Sequence, residues 1–335
     1  MTPIPVLVTG GAGYIGSHTC KALAQANYLP VTIDTLEHGH LDAVRWGPFI
    51  RGDFADADLL QGCLRTHRIR AVVHFAGYAY VGESMGHPGR YFRNNSMHTL
   101  ELLEAMRAEN VGHMVFSSSC ATYGVPQMLP IDETHAQRPV NPYGESKLFV
   151  ERMLHWFESA HGLRYAALRY FYAAGADPDG ELGERHDPET HLIPLVIQAA
   201  LGQRPDVHIF GTDYDTADGT AVRDYIHVQD LARAHVLALD RLLQGAPSLS
   251  ANLGTGIGHS VREVVRMVEQ TSGRRVPVIE QARRPGDPPV LVAATGLAQQ
   301  RLGWTTQCSD LATIVASATR WHKAHPAPHS RAKPA

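Results

Sequence analysis

The stretch Val8-Thr9-Gly10-Gly11-Ala12-Gly13-Tyr14-Ile15-Gly16 sets Gly10, Gly13 and Gly16 at G-x-x-G-x-x-G spacing, and its flanks decide the fold. Before it, residues 4–9 form a short apolar run rich in β-branched side chains. After it, Ile15, Thr19, Leu23 and Ala26 recur on one helical face as far as Asn27. Strand, glycine turn and helix in succession are the context that a dinucleotide fingerprint requires. One glycine makes the tight turn, one lets the backbone approach a pyrophosphate, and one lets the helix pack close to the strand. The next apolar run, Pro30-Val31-Thr32-Ile33, ends at Asp34, about twenty residues further on. A carboxylate there accepts from both ribose hydroxyls of an adenosine and repels a 2′-phosphate. NAD is therefore expected rather than NADP.

Strand and helix patterns alternate downstream: a strand over 49–52 with Asp53 at its end, a helix over 56–67, and a strand over 71–75 before Ala76-Gly77. A long helix is expected over 89–110, and a strand over 113–116 delivers Ser117-Ser118-Ser119. This alternation predicts an α/β, Rossmann-type doubly wound parallel sheet. Ligands then lie outside the carboxyl ends of the strands, where Asp53, Gly77 and Ser119 fall.

In Asn141-Pro142-Tyr143-Gly144-Glu145-Ser146-Lys147, Asn141 suits a helix cap and Pro142 the first turn, so a helix is expected over 142–160. Tyr143 and Lys147 are four apart and share a helical face. A free tyrosine ionises near pH ~10, and a neighbouring ammonium favours the phenolate. The spacing predicts a tyrosine drawn towards neutrality, able to act as a general base on a hydroxyl. A strand over 165–170 follows.

After Phe171 the chain becomes polar and rich in glycine and proline through 175–180 and 186–188, which reads as a functional loop and a lobe boundary. Helices are expected over 191–201, 228–243, 260–272 and 311–322, with strands over 207–210 and 277–280. The organisation read from this is a dinucleotide-binding domain over 1–173, rejoined by about 224–253. A smaller C-terminal substrate-binding lobe spans 174–325, and a disordered tail 326–335.

A net charge of −3, 44% hydrophobic and 19% charged residues describe an ordinary globular chain with no global pull towards nucleic acid or a membrane surface. No apolar run is long enough to span a bilayer and no signal segment precedes the first strand, so a cytoplasmic location is expected. Cys20, Cys63, Cys120 and Cys308 lack C-x-x-C spacing. The 20 histidines show no H-E-x-x-H pattern; they are read mostly as surface or loop residues, and no metal is expected.

The motifs in order resemble those of extended short-chain dehydrogenases/reductases, and most closely the UDP-glucose (UDP-galactose) 4-epimerase family. The resemblance runs from residue 4 to about 322. It rests on the glycine stretch, His74-Phe75-Ala76-Gly77, Val81-Gly82-Glu83-Ser84, Ser117-Ser118-Ser119, Tyr143-Gly144-Glu145-Ser146-Lys147, Arg169-Tyr170-Phe171, Val222-Arg223-Asp224-Tyr225-Ile226-His227 and Arg283-Arg284-Pro285-Gly286-Asp287. It implies Ser119, Tyr143 and Lys147 as the catalytic trio. It implies NAD contacts from Gly10, Gly13, Tyr14, Ile15, Gly16, Asp34, Asp53, Phe54, Phe75, Ala76, Gly77, Ala79, Asn94, Ser117 and Phe171, together with Tyr143 and Lys147. Arg223 and Arg284 would clamp the diphosphate of a UDP-sugar, with Tyr172, His191, Leu192, Phe210, Asp287 and Leu291 around the nucleotide sugar.

Four positions depart from the family pattern. Ala79 stands where some members have a lysine, Ala121 where some have a threonine, and Tyr172 and His191 where asparagines are usual. The reaction implied is oxidation of the sugar at C4, rotation of the ketone in the site, and return of the hydride to the opposite face. Other readings are an epimerase of UDP-pentoses or UDP-N-acetylhexosamines, a 4,6-dehydratase, and a non-catalytic NAD-binding sensor. A homodimer is expected, with Met153, Trp156 and Phe157 as candidates for its interface.

Overall fold

The apolar runs of the first half hydrogen-bond side by side because each is short, β-branched and closed by a small or polar residue. The structure, a computed structural model, describes residues 2–284 and 286–326. The expected disordered tail lies outside the described residues except for Pro326. β1 (Ile4–Thr9), β2 (Tyr28–Asp34), β3 (Phe49–Arg51), β4 (Ala71–His74), β5 (His113–Ser119) and β6 (Arg164–Tyr170) form a parallel sheet with the strand Leu249–Leu253. The order is Leu249–Leu253, β6, β5, β4, β1, β2, β3. The chain runs outward from β1 to β3 and then restarts at β4 on the other side of β1. That reversal opens a crevice at the strand ends where a ligand can enter.

Both faces of the sheet are covered. On one, α1 (Tyr14–Gln25) and the helix Val228–Leu243 bury Leu23, Leu231, Ala234, Leu239 and Leu242 against Val6, Val8 and Val115. On the other, the helices Ala57–Thr66, His98–Ala108 and Pro142–His161 bury Leu60, Leu64, Leu102, Met106, Val150 and Leu154 against Leu7, Val72 and Met114. Each such side chain contributes about 1.5–3 kcal/mol on leaving water. A third cluster joins the helices Leu192–Ala200, Val261–Ser272 and Leu311–Ala324 through Ile193, Val196, Val264, Val268, Ile314 and Val315.

Several features differ from the sequence reading. The edge strand Leu249–Leu253, Leu-Ser-Ala-Asn-Leu, has no β-branched or aromatic residue to announce it, and is recruited by pairing with β6. The expected helix over 89–110 is interrupted by a π-helical segment, Phe92–Met97, which turns Asn95 inward to bond Tyr78 and Ser146. Most of the described histidines are exposed or half-buried, as read from the sequence, but His18, His74, His227, His235 and His322 are buried. They are tolerated as neutral rings, since burial pulls His18 and His235 down to about 4 and His74 to about 3. His74, for example, spans Thr9 and Thr99 at 2.6 and 2.8 Å.

Candidate active site

Every residue singled out from the sequence for catalysis, cofactor or substrate lines one cavity of about 1770 Å³ at the carboxyl ends of the strands. Ligand pockets are usually of order 300–1,000 Å³, so this one has room for two sizeable ligands.

At one end is the glycine turn. Gly10 has φ +70°, and a Cβ there would fall 2.7 Å from Ala76 N; a Cβ on Gly16 would fall 2.2 Å from Gly10 O. Neither position admits a side chain, so the backbone is laid bare for a close-fitting anion at the start of α1. Asp34 ends β2 with Oδ2 accepting from Ala12 N at 3.0 Å and Oδ1 from Leu36 N at 2.9 Å. Both oxygens keep a free lone pair for a ribose diol. Asp53, Phe54, Phe75, Ala76, Gly77, Ala79 and Asn94 follow along the same wall. These residues fit a dinucleotide lacking a 2′-phosphate.

In the middle, β5 presents Ser117 and Ser119 while the capped helix presents Tyr143 and Lys147. Asn141 Oδ1 accepts from Gly144 N at 2.8 Å, and Gly162, at φ +72°, closes the helix. Lys147 Nζ donates to Ser117 O at 2.8 Å and stands 6.0 Å from the Tyr143 ring centre. Burial pushes the Tyr143 phenol up to about 12, against a downward pull from the adjacent Ser119 hydroxyl. Burial also lowers Lys147 to about 8. The downward pull expected of Lys147 on the tyrosine is thus outweighed by burial. Desolvation of both groups outweighs an ammonium that faces the Ser117 carbonyl rather than the phenol.

At the far end, Arg223 is 6% exposed, donates to Val222 O at 2.8 Å and pairs with Asp287. Arg284 is exposed and stacks over Phe210, its guanidinium carbon 3.9 Å from the ring centre. One arginine is locked and the other hinged on an aromatic ring. Tyr172 lines the cavity beside Arg223, 5.7 Å from its guanidinium carbon, and packs with Phe171 and Leu291. His191 and Leu192 complete this wall.

The structure also brings in residues that the sequence did not single out. Tyr170 bonds Ser117, and Asn95 bonds Tyr78, each holding a wall residue in place. Glu184, His186 and Glu189 gather around His191, each on an irregular loop that carries no periodic signal.

The profile described as the NAD dependent epimerase/dehydratase family matches residues 6–254. A UDP-glucose 4-epimerase from Rhizobium leguminosarum bv. trifolii is 51% identical over 317 residues, covering 95% of this chain and 97% of the relative. The crystal structure of UDP-glucose 4-epimerase from Brucella ovis in complex with NAD superposes with a TM-score of 0.93 at 54% identity, covering 95% and 98% of the two chains. That of a UDP-glucose-4-epimerase from Stenotrophomonas maltophila with bound NAD and formylated UDP-arabinopyranose superposes with a TM-score of 0.92 at 41% identity, covering 96% and 98%. With the glycine cradle, the serine-tyrosine-lysine centre and these likenesses in agreement, the chain belongs to the NAD dependent epimerase/dehydratase family.

Proposed function

We propose that the chain is a UDP-sugar 4-epimerase that interconverts UDP-glucose and UDP-galactose with retained NAD. What supports this is that Ser119, Tyr143 and Lys147 line one cavity together with the glycine turn, Asp34, Arg223 and Arg284. We assign NAD to residues 1–173 with 224–253, and the nucleotide sugar to the lobe 174–325.

NAD, when bound, would supply the acceptor for the hydride leaving C4 of the sugar and a positive charge that favours the phenolate. Tyr143 takes the proton of the 4-hydroxyl and later returns it. From about 12, its ionisation near neutrality needs favourable charge worth on the order of 7 kcal/mol, at ~1.4 kcal/mol per pH unit. Ser119 shares the hydroxyl proton, and Lys147, fixed by Ser117 O, would hold the nicotinamide ribose. Arg223 and Arg284 grip the diphosphate by charge-assisted forks while the 4-keto sugar turns over. Binding energy from the nucleotide thereby keeps the ketone in the site.

The test is a panel of UDP-glucose, UDP-galactose, UDP-N-acetylglucosamine and UDP-xylose given to the purified chain without added cofactor. Formation of the 4-epimers with no NADH accumulating is expected. Stoichiometric NADH, or an absolute need for NADP, would contradict the proposal.

Sugar scope turns on Tyr172 and Leu291. Tyr172 lines the cavity beside Arg223, and a ring there would crowd the hydroxymethyl of a hexose, which a pentose lacks. Leucine at 291 leaves more room for a 2-substituent than an aromatic ring does. Tyr172→Asn should raise kcat/KM for UDP-galactose by about 2- to 10-fold, the worth of one recovered hydrogen bond. UDP-arabinose should change less, and an equal or opposite change would show that the ring does not discriminate at that carbon.

A homodimer and a cytoplasmic setting complete the proposal. Trp156 and Met97 are each more than 60% exposed, and Phe149 and Leu100 lie near them on the helices of one face. Of the other expected interface residues, Met153 and Phe157 are partly packed on the chain's own core. All four cysteines are free thiols, which suits a reducing compartment.

A further inference from the structure

Outside the reacting centre, the loop leading into the helix Leu192–Ala200 carries Glu184, His186, Glu189 and His191 at the spacing E-x-H-x-x-E-x-H. One donor atom from each lies within 4.8 Å of all the others. His186 Nδ1 is 3.2 Å from Glu184 Oε1 and 3.6 Å from Glu189 Oε1; His191 Nδ1 touches Glu184 Oε1 and is 4.0 Å from Glu189 Oε1. A tetrahedral site with bonds of ~2.1 Å has edges of ~3.4 Å, which these separations bracket.

The orientation of the donors is as telling as their distances. Both imidazoles turn Nδ1 towards the same oxygen, Glu184 Oε1. His186 Nδ1 is buried and makes no hydrogen bond of acceptable geometry, although two carboxylates stand beside it. Finished ion pairs would put each ring N–H on its own oxygen. Glu189 Oε1 is in turn fixed by Thr190 N and His191 N at 2.7 and 2.8 Å, and the Glu184 side chain is 4% exposed. The neighbouring acidic trio, Asp177, Asp179 and Glu181, differs in kind: Lys21 Nζ already sits among its three carboxylates at 2.9, 2.8 and 2.7 Å.

We propose that Glu184, His186, Glu189 and His191 bind one divalent transition-metal ion of the zinc class. Two imidazoles and two carboxylates suit Zn²⁺ or Co²⁺ better than the all-oxygen shells of Mg²⁺ and Ca²⁺. Two carboxylates balance the ion's charge, so its burial leaves no net charge in the wall. The same loop supplies His191 and Leu192 to the cavity, and an ion there would fix that wall while Tyr143, on another helix, does the proton transfer. The inference rests on side-chain geometry and is independent of the sugar-nucleotide reading.

The experiment titrates the full chain, stripped with a chelator and then freed of it, with Co²⁺ and with Zn²⁺ alone. Expected are one tightly held equivalent by calorimetry and the intense visible absorption of tetrahedral Co²⁺. His186→Gln should weaken that equivalent by more than the ~10–100-fold typical of losing an outer-sphere partner, and abolish the absorption. Glu189→Gln should do the same; retained NAD in either variant shows that the fold is intact. A wild-type chain that takes up no equivalent, or variants that bind the metal as the wild type does, would overturn the proposal.

Discussion

Replacing Tyr143 by Phe should lower epimerase turnover by about 10²–10⁴-fold, the usual worth of a positioned general base, while NAD and UDP-sugar binding persist. The ring itself is a packing element, edge-on to Tyr91 at 6.5 Å, and Phe preserves that contact. Ser119 cannot substitute, because a serine hydroxyl surrenders its proton far less readily than a phenol. Its Oγ also already accepts from Ala121 N at 3.1 Å. The loss should therefore fall on kcat, with KM little changed, since the phenol acts on a proton that moves only in the reaction. The check is steady-state kinetics beside the NAD content of the purified variant. Near-normal turnover would remove Tyr143 from the role of base.

The second large effect concerns what holds that tyrosine in place. Glu151, on the same helix as Tyr143 and Lys147, receives Arg169 of β6 in a two-pronged pair, at 2.9 Å from Nε and 2.6 Å from Nη2. Both side chains are at least 93% buried, and Ser118 of β5, Gln137 and Tyr123 complete the network. The pair thus ties the helix of Tyr143 and Lys147 to the two strands that bear Ser117, Ser119 and Tyr170. Glu151→Ala would leave a guanidinium buried without its counter-charge, a change that costs roughly 3–5 kcal/mol of stability. Replacing both partners, Glu151→Leu with Arg169→Met, should recover most of that, because the desolvation cost of the charges disappears with them. Denaturant unfolding of the single and double variants measures this; a single-variant loss under about 1 kcal/mol would show that the pair is not a structural tie.

The parts of this architecture that were legible in the sequence share a cause: their signals are local. Gly10 and Gly16 announce a turn because a Cβ there would strike backbone, and Asn141-Pro142 announces a helix start because capping chemistry is confined to a few neighbouring residues. What escaped depends on distant partners. The strand Leu249–Leu253 exists because β6 offers it an edge, and Val222–Arg223, His259–Ser260 and Val290–Leu291 are too short to show a period. The π-helical segment at Phe92–Met97 turns Asn95 onto Ser146 of a distant helix, a partner that local sequence does not reveal. The ionisation of Tyr143 differs from the sequence reading for the same reason: four-residue spacing shows that Lys147 is near, but not that both groups are buried. Glu184, His186, Glu189 and His191 match no familiar ligand motif, and only the folded loop brings their donor atoms together.

The central claim is that hydride leaves C4 and returns to the same carbon on a cofactor that never departs. UDP-galactose carrying deuterium at C4, incubated with the purified chain in ordinary water without added NAD, tests it most directly. The account predicts that the UDP-glucose formed keeps the deuterium at C4 and that no NADH appears. Loss of the label to solvent, or label-dependent NADH released with a ketone product, would contradict it.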